Sequence, residues 1–166
     1  WLILFYFDFY IICLILIIYS AVSDYLDGYI ARRYDASSII GKIVDPIADK
    51  LFACTVLISF ISDSRANVFV VTIILMREII ISGLREALST YNKSTLLEVT
   101  FLSKIKTTFQ FFSIFILALV PINIEFSQKI QNFGSVFLFI TAILTIYTGY
   151  KYVIKSIIEI NKIKRE

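Results

Sequence analysis

From Phe9 to Ile158 the chain alternates long apolar runs with short polar breaks, and most of the runs approach the ~20 residues needed to cross a hydrocarbon core. The runs are continuous and do not alternate apolar with polar, so they read as helices and not as barrel strands. The breaks predict helices at roughly 9–33, 40–62, 66–90, 97–120 and 131–158. "DSRAN" (63–67), "TYNKS" (90–94) and "PINIEFSQ" (121–128) read as turns, and Pro121 stops a helix because it has no N–H to donate. Fifty-eight per cent of the 166 residues are hydrophobic, above the roughly 45–50% of soluble domains. The predicted fold is all-α, a polytopic membrane helical bundle forming one domain over residues 1–166.

Charge and residue inventory narrow the chemistry. A net charge of +3, spread along the chain, gives no reason to expect nucleic acid. Cys13 and Cys54 both lie inside apolar runs, so no disulfide framework is implied. There is no histidine, which removes imidazole acid–base chemistry and His-based zinc sites. Catalysis must therefore draw on carboxylates, Lys, Arg, Tyr, Cys or a metal. The stretch "WLILFYFDFY" lacks the basic start and small-residue cleavage site of a signal peptide. It reads as the tail of an earlier helix, with an amino-terminal part expected upstream.

If the helices alternate across a bilayer, fourteen of the sixteen basic residues share one side, from Arg32 and Arg33 through Lys151, Lys155 and Arg165. Only Arg65 and Lys129 fall on the other. By the positive-inside rule the first side is cytoplasmic.

The same side carries "SDYLDGYIARRYDASSIIGKIVDPIADK", residues 23–50. Asp24 and Asp27 are three apart and Asp45 and Asp49 four apart, so each pair shares a helix face. A turn near Tyr34–Ser38 would fold the two helices antiparallel and bring the pairs together. Gly28, Ala31, Gly41 and Ala48 are small enough to let helices approach. Carboxylates are costly at membrane depth, so cations must compensate. Hard divalent ions such as Mg²⁺ or Mn²⁺ suit all-oxygen ligands, and two-metal clamps recur in displacement at phosphorus. The competing reading is ion pairing with Arg32, Arg33, Lys42 and Lys50.

These residues resemble the CDP-alcohol phosphotransferase family. The stretch fits its signature D-x2-D-G-x2-A-R-x8-G-x3-D-x3-D at all eight fixed positions. The resemblance implies cleavage of a CDP-linked donor, release of CMP and transfer of the phosphoryl alcohol to a hydroxyl. It implies that Asp24, Asp27, Asp45 and Asp49 hold the metals and that Asp49 is the general base. It also implies that Asp27, Gly28, Ala31, Arg32 and Gly41 bind the nucleotide, with Arg32 on its phosphates. The family has six transmembrane helices, so the first is expected to be missing here or reduced to Trp1–Phe7. A homodimer is implied as well.

A second stretch bears on the acceptor. In "MREIIISGLREALST" (76–90), Arg77 and Arg85 are eight apart, about two helical turns, as are Glu78 and Glu86. "SKIKTTFQ" (103–110) places Lys104, Lys106 and Thr107 at the start of an apolar helix. Interhelix Arg–Glu pairs, and lysines snorkelling to the interface, are the competing readings of these residues. As a basic pocket, Arg77, Arg85, Lys104, Lys106 and Thr107 suit an acceptor that carries phosphate. The two stretches look like the phosphatidylglycerophosphate synthase branch of the family. That likeness implies CDP-diacylglycerol as donor and sn-glycerol 3-phosphate as acceptor, within membrane lipid.

Other readings stay open on residues alone. The acceptor could be inositol, serine or phosphatidylglycerol. The carboxylates could serve a cation transporter, or the chain could be a non-catalytic scaffold. Tyr147, Tyr150 and Tyr152 fit an interfacial aromatic belt, and "NKIKRE" reads as a basic anchor to anionic lipid.

Overall fold

The computed structural model describes residues 1–34, 39–89 and 100–163, with side chains described except at 24, 25, 27–34, 39–46, 89 and 161–163. These residues form six helices: α1 (Leu2–Tyr6), α2 (Tyr10–Tyr34), α3 (Ile39–Ser62), α4 (Val68–Ser89), α5 (Phe101–Leu119) and α6 (Ser127–Ile163). No strand occurs among them. The five long helices match the expected ones, with α5 starting later than predicted and α6 extending at both ends. The break at 90–94 and the turn at 35–38 lie outside the described residues.

Local chemistry sets the helix ends. Ser64 takes a left-handed φ of 56°, and the N–H groups of Arg65 and Ala66 return to the Phe60 carbonyl at 2.8 and 3.1 Å. That closes α3 in the way a left-handed residue commonly ends a helix. Asn67 then caps α4, its Oδ1 accepting from the Phe69 N–H at 2.9 Å and the Val70 N–H at 3.4 Å. Thr100 caps α5 through Oγ1, which accepts from the Ser103 N–H at 3.3 Å. At the other end of α5 the chain turns through Pro121, as predicted. The stretch expected to be the tail of an earlier helix holds the short α1, separated from α2 by Asp8 at φ 61°. Within α3 the helix runs through Pro46, which removes the N–H that would have bonded the Lys42 carbonyl.

The chain divides into two compact units. The first comprises Trp1–Ala66 and Ile114–Gly134. In it α1 packs on both α2 and α3. The Trp1 indole meets Phe52 and Phe60 edge-on at 5.9 and 6.3 Å and donates to Ser59 Oγ at 3.1 Å. Arg65 is buried beside the rings of Phe5, Tyr10 and Phe60 and pairs with Asp63. Gly134 brings α6 close to α5: a Cβ there would stand 2.8 Å from Leu117 Cδ2 and 3.0 Å from Ile116 Cγ2.

The second unit comprises Asn67–Ser113 and Ser135–Glu166. Its centre is Ile81, Leu88 and Tyr152, with Leu84, Val153 and Ile160 packed against them. Phe137 of α6 stacks on Phe109 and meets Phe112 edge-on, at 5.5 and 5.0 Å.

α6 shows what solvent this chain is built for. Its exposed face is apolar, with Phe139, Ile143, Ile146, Ile154 and Ile157 all outside. Its buried face is small and hydroxylated: Thr141, Ala142, Thr145, Thr148 and Ser156. In water that distribution would be inverted; in a bilayer it is the one that packs helices. The hydroxyls of Thr141, Thr148 and Ser156 donate to carbonyls four residues back, so they are satisfied within their own helix. Among the described residues, Phe101–Leu119 and Ser127–Ile160 are long and apolar enough to cross a membrane. The fold class read from the sequence, a membrane helical architecture without strands, stands.

Candidate active site

The carboxylate-bearing stretch lies in the first unit. Asp24 and Asp27 fall in the last three turns or so of α2, and Asp45 and Asp49 in the first three or so of α3. All four are therefore on helix, with the spacings that put each pair on one face. The side chains of Asp24, Asp27, Asp45, Gly28, Ala31, Arg32 and Gly41 lie outside the described ones. Asp49 is half-buried and next to Lys50, also half-buried. Among the described residues no three metal-ligating side chains converge. The donor chemistry at the four positions is carboxylate oxygen throughout, which fits a hard divalent ion.

The basic residues lie in the second unit and separate into two groups. Arg77 and Lys106 are drawn inward onto Glu78. Lys106 Nζ pairs with Glu78 Oε1, and Arg77 Nη1 reaches the same oxygen at 3.2 Å. The side chains of Lys106, Arg77 and Glu78 are 5%, 13% and 16% exposed, so one carboxylate serves two nearly buried cations. The interhelix ion pair weighed from the sequence thus exists, with Lys106 of α5 as the partner of Glu78 in place of an arginine. Lys106 does not snorkel: its ammonium is held in the protein interior. Arg85, Lys104 and Thr107 form the second group, all exposed, with the Thr107 hydroxyl donating to the Ser103 carbonyl at 3.0 Å.

α6 completes the Arg77 environment, and this part was not legible as a site. Arg77 Nη2 donates to Thr148 Oγ1 at 3.4 Å. Its guanidinium lies 5.6 Å from the centre of the Tyr152 ring, within cation–π range. At Gly149 a Cβ would stand 3.0 Å from Arg77 Cγ, so the glycine leaves room for the arginine stem. Arg77 Nε is buried without a hydrogen-bond acceptor, as is Thr145 Oγ1. Tyr152 itself corrects an expectation. It is not part of an interfacial belt but buried, with its hydroxyl 3.3 Å from the Thr100 N and 3.2 Å from Ser103 Oγ. Tyr147 and Tyr150 remain exposed, consistent with the belt. The available signal was the small and hydroxylated spacing of Thr141, Thr145, Thr148 and Gly149, which marks a face that receives other helices.

The family model for CDP-alcohol phosphatidyltransferases matches residues 1–147. The chain belongs to this family. Relatives are similar along most of the sequence. One, from Rickettsia bellii, is 39% identical over 140 residues, covering 83% of this chain and 75% of the relative. One from Blochmanniella floridana is 32% identical over 159 residues, covering 92% and 80%. One from Pectobacterium atrosepticum is 31% identical over 144 residues, covering 86% and 76%. Each is named CDP-diacylglycerol–glycerol-3-phosphate 3-phosphatidyltransferase. The family match extends past the signature in both directions, through α1 at one end and just past the middle of α6 at the other. As a CDP-alcohol phosphatidyltransferase with helices built for lipid, the chain is an integral membrane protein.

Proposed function

We propose that this chain transfers a phosphatidyl group from CDP-diacylglycerol to sn-glycerol 3-phosphate, giving phosphatidylglycerol phosphate and CMP. The observation that carries the reading is the unbroken eight-position signature on α2 and α3 of a chain matching the family over residues 1–147. The names of the relatives support the donor and the acceptor.

In the proposed reaction an acceptor hydroxyl oxygen forms a bond to the phosphorus that carries diacylglycerol. The pyrophosphate P–O bond breaks and CMP leaves with its electron pair. Asp49 takes the hydroxyl proton or orients the hydroxyl. Asp24, Asp27, Asp45 and Asp49 would hold Mg²⁺ or Mn²⁺, which when bound supplies positive charge for the pyrophosphate and for the departing CMP. Gly28, Ala31 and Gly41 leave space for the nucleotide beside Asp27, and Arg32 matches its phosphate charge. Arg85, Lys104 and Thr107 supply exposed charge and hydroxyl for the acceptor phosphate, while Arg77 and Lys106 supply charge fixed by Glu78. The positive-inside distribution supports a multi-pass protein whose site opens to the cytoplasm, where a water-soluble phosphorylated acceptor is found. The protein is expected to act as a homodimer.

The test is CMP release by purified protein in lipid micelles containing CDP-diacylglycerol. Release is expected only with both a divalent ion and sn-glycerol 3-phosphate. Release with serine or inositol in its place would assign a different acceptor. Absence of release with every acceptor would overturn the reading.

A further inference from the structure

Tyr152 touches Arg77 and the start of the helix that carries Lys104, Lys106 and Thr107. Its ring lies under the Arg77 guanidinium of α4, 5.6 Å from centre to Cζ. Its hydroxyl accepts from the Thr100 N–H at 3.3 Å and shares a hydrogen bond with Ser103 Oγ at 3.2 Å. Thr100 is the cap of α5, and Ser103 lies in its first turn. Lys104, Lys106 and Thr107 follow within the next turn.

Three physical points give this contact a purpose beyond packing. First-turn N–H groups have no intrahelical acceptor, so the phenol oxygen at Thr100 satisfies a group that helix geometry leaves open. The ring is locked among Ile81 and Leu88, and an aromatic side chain has only two soft torsions, so the oxygen is a rigid anchor. The hydroxyl contributes almost nothing to the ring's packing, because phenylalanine fills nearly the same space. A buried tyrosine oxygen at this place therefore fixes where α5 begins relative to Arg77.

We propose that Tyr152 is a positioning residue for the phosphorylated acceptor, setting the Lys104–Thr107 turn of α5 against Arg77 of α4. The inference rests on the acceptor reading given above. It makes α6, which carries none of the signature residues, a determinant of acceptor affinity.

The experiment measures KM for sn-glycerol 3-phosphate and for CDP-diacylglycerol, with melting temperature, in wild type, Tyr152→Phe, Ser103→Ala and the double variant. Tyr152→Phe is expected to raise KM for glycerol phosphate about three- to tenfold, the equivalent of one lost hydrogen bond. KM for CDP-diacylglycerol should stay at its wild-type value, and the melting temperature should fall by no more than the few degrees that one lost hydrogen bond accounts for. Ser103→Ala should shift the same constant in the same direction, and the double variant should fall short of the product of the two effects, because both remove one contact. Unchanged glycerol phosphate KM in Tyr152→Phe overturns the proposal while leaving the reaction intact. Equal rises in both KM values with a lowered melting temperature also overturn it, in favour of a packing role. A wild type that releases no CMP with glycerol phosphate overturns the acceptor reading and this proposal with it.

Discussion

Removing the carboxylate of Glu78 gives a direct measure of how the basic cluster is held. Lys106 is 5% exposed, Glu78 16% and Arg77 13%, so the small value of surface ion pairs does not apply. Breaking a buried pair by deleting one partner costs about 3–5 kcal/mol, because a charge remains in a poor solvent. Glu78→Leu removes the shared carboxylate from two cations at once, and Glu78 keeps some access to solvent, so we take the lower end. For a chain of this size 1 kcal/mol corresponds to about 2–4 °C, and ~3 kcal/mol to a melting temperature lowered by about 6–12 °C. The assay is thermal unfolding in a fixed detergent–lipid mixture. Its control is Glu78→Leu combined with Lys106→Met. Replacing both members of a buried pair by apolar groups is often neutral, so the double variant is expected to recover the Lys106 share of the loss, while Arg77 still lacks the carboxylate. A single variant within about 1 °C of wild type would refute the reasoning, since that is below the shift expected for even a fraction of a buried charge. A double variant as unstable as the sum of the two singles would refute it too, because the coupling would then be absent.

Asp45→Asn is expected to bring CMP release to background with unfolding temperature unchanged; full activity would remove the aspartate set from the reaction. Chelation of divalent ions with EDTA should have the same effect on wild type and be reversed by Mg²⁺ or Mn²⁺, again read as CMP release. Arg85→Ala should raise KM for glycerol phosphate and leave stability within about 0.5 kcal/mol, as an exposed side chain allows. Gly134→Ala should destabilise by about 1–3 kcal/mol, because its Cβ would stand 2.9 Å from Leu117 Cγ, on a side chain with no room to give. Gly83→Ala meets nothing within 4 Å and should be neutral or mildly stabilising in the same melt.

Helix number and boundaries were largely legible because each apolar run ends at a residue with its own local chemistry. Asn67 caps α4 and Pro121 follows α5, and both effects act within a few residues. The aspartate signature was legible for the same reason: fixed spacing on a helix is a local property. The start of α5 was less so, since Thr100 is one of several hydroxylated residues able to cap, and Tyr152, far along the chain, helps select it. The partner of Glu78 was not legible either. Arg77 is adjacent and Lys106 is 28 positions away, and no periodicity within one helix tells which cation another helix will deliver. Tyr152 was misplaced because an aromatic residue near lysines at a helix end has the composition of an interfacial belt whether it faces lipid or the core.

α6 also acts as a ruler. Its 37 residues extend about 55 Å, whereas a hydrocarbon core is about 30 Å thick. Starting at Ser127, some twenty residues bring the helix to the far edge of the core near Tyr147, where the Lys151 ammonium lies 4.4 Å from that ring's centre. Reckoned with Ser127 at one edge, Thr148, Gly149 and Tyr152 would stand near the headgroup level, where a lipid-anchored donor and a water-soluble acceptor can meet without either crossing the membrane. A thicker bilayer would draw that level inward, so the enzyme's turnover should carry an imprint of the acyl-chain length of the membrane that houses it.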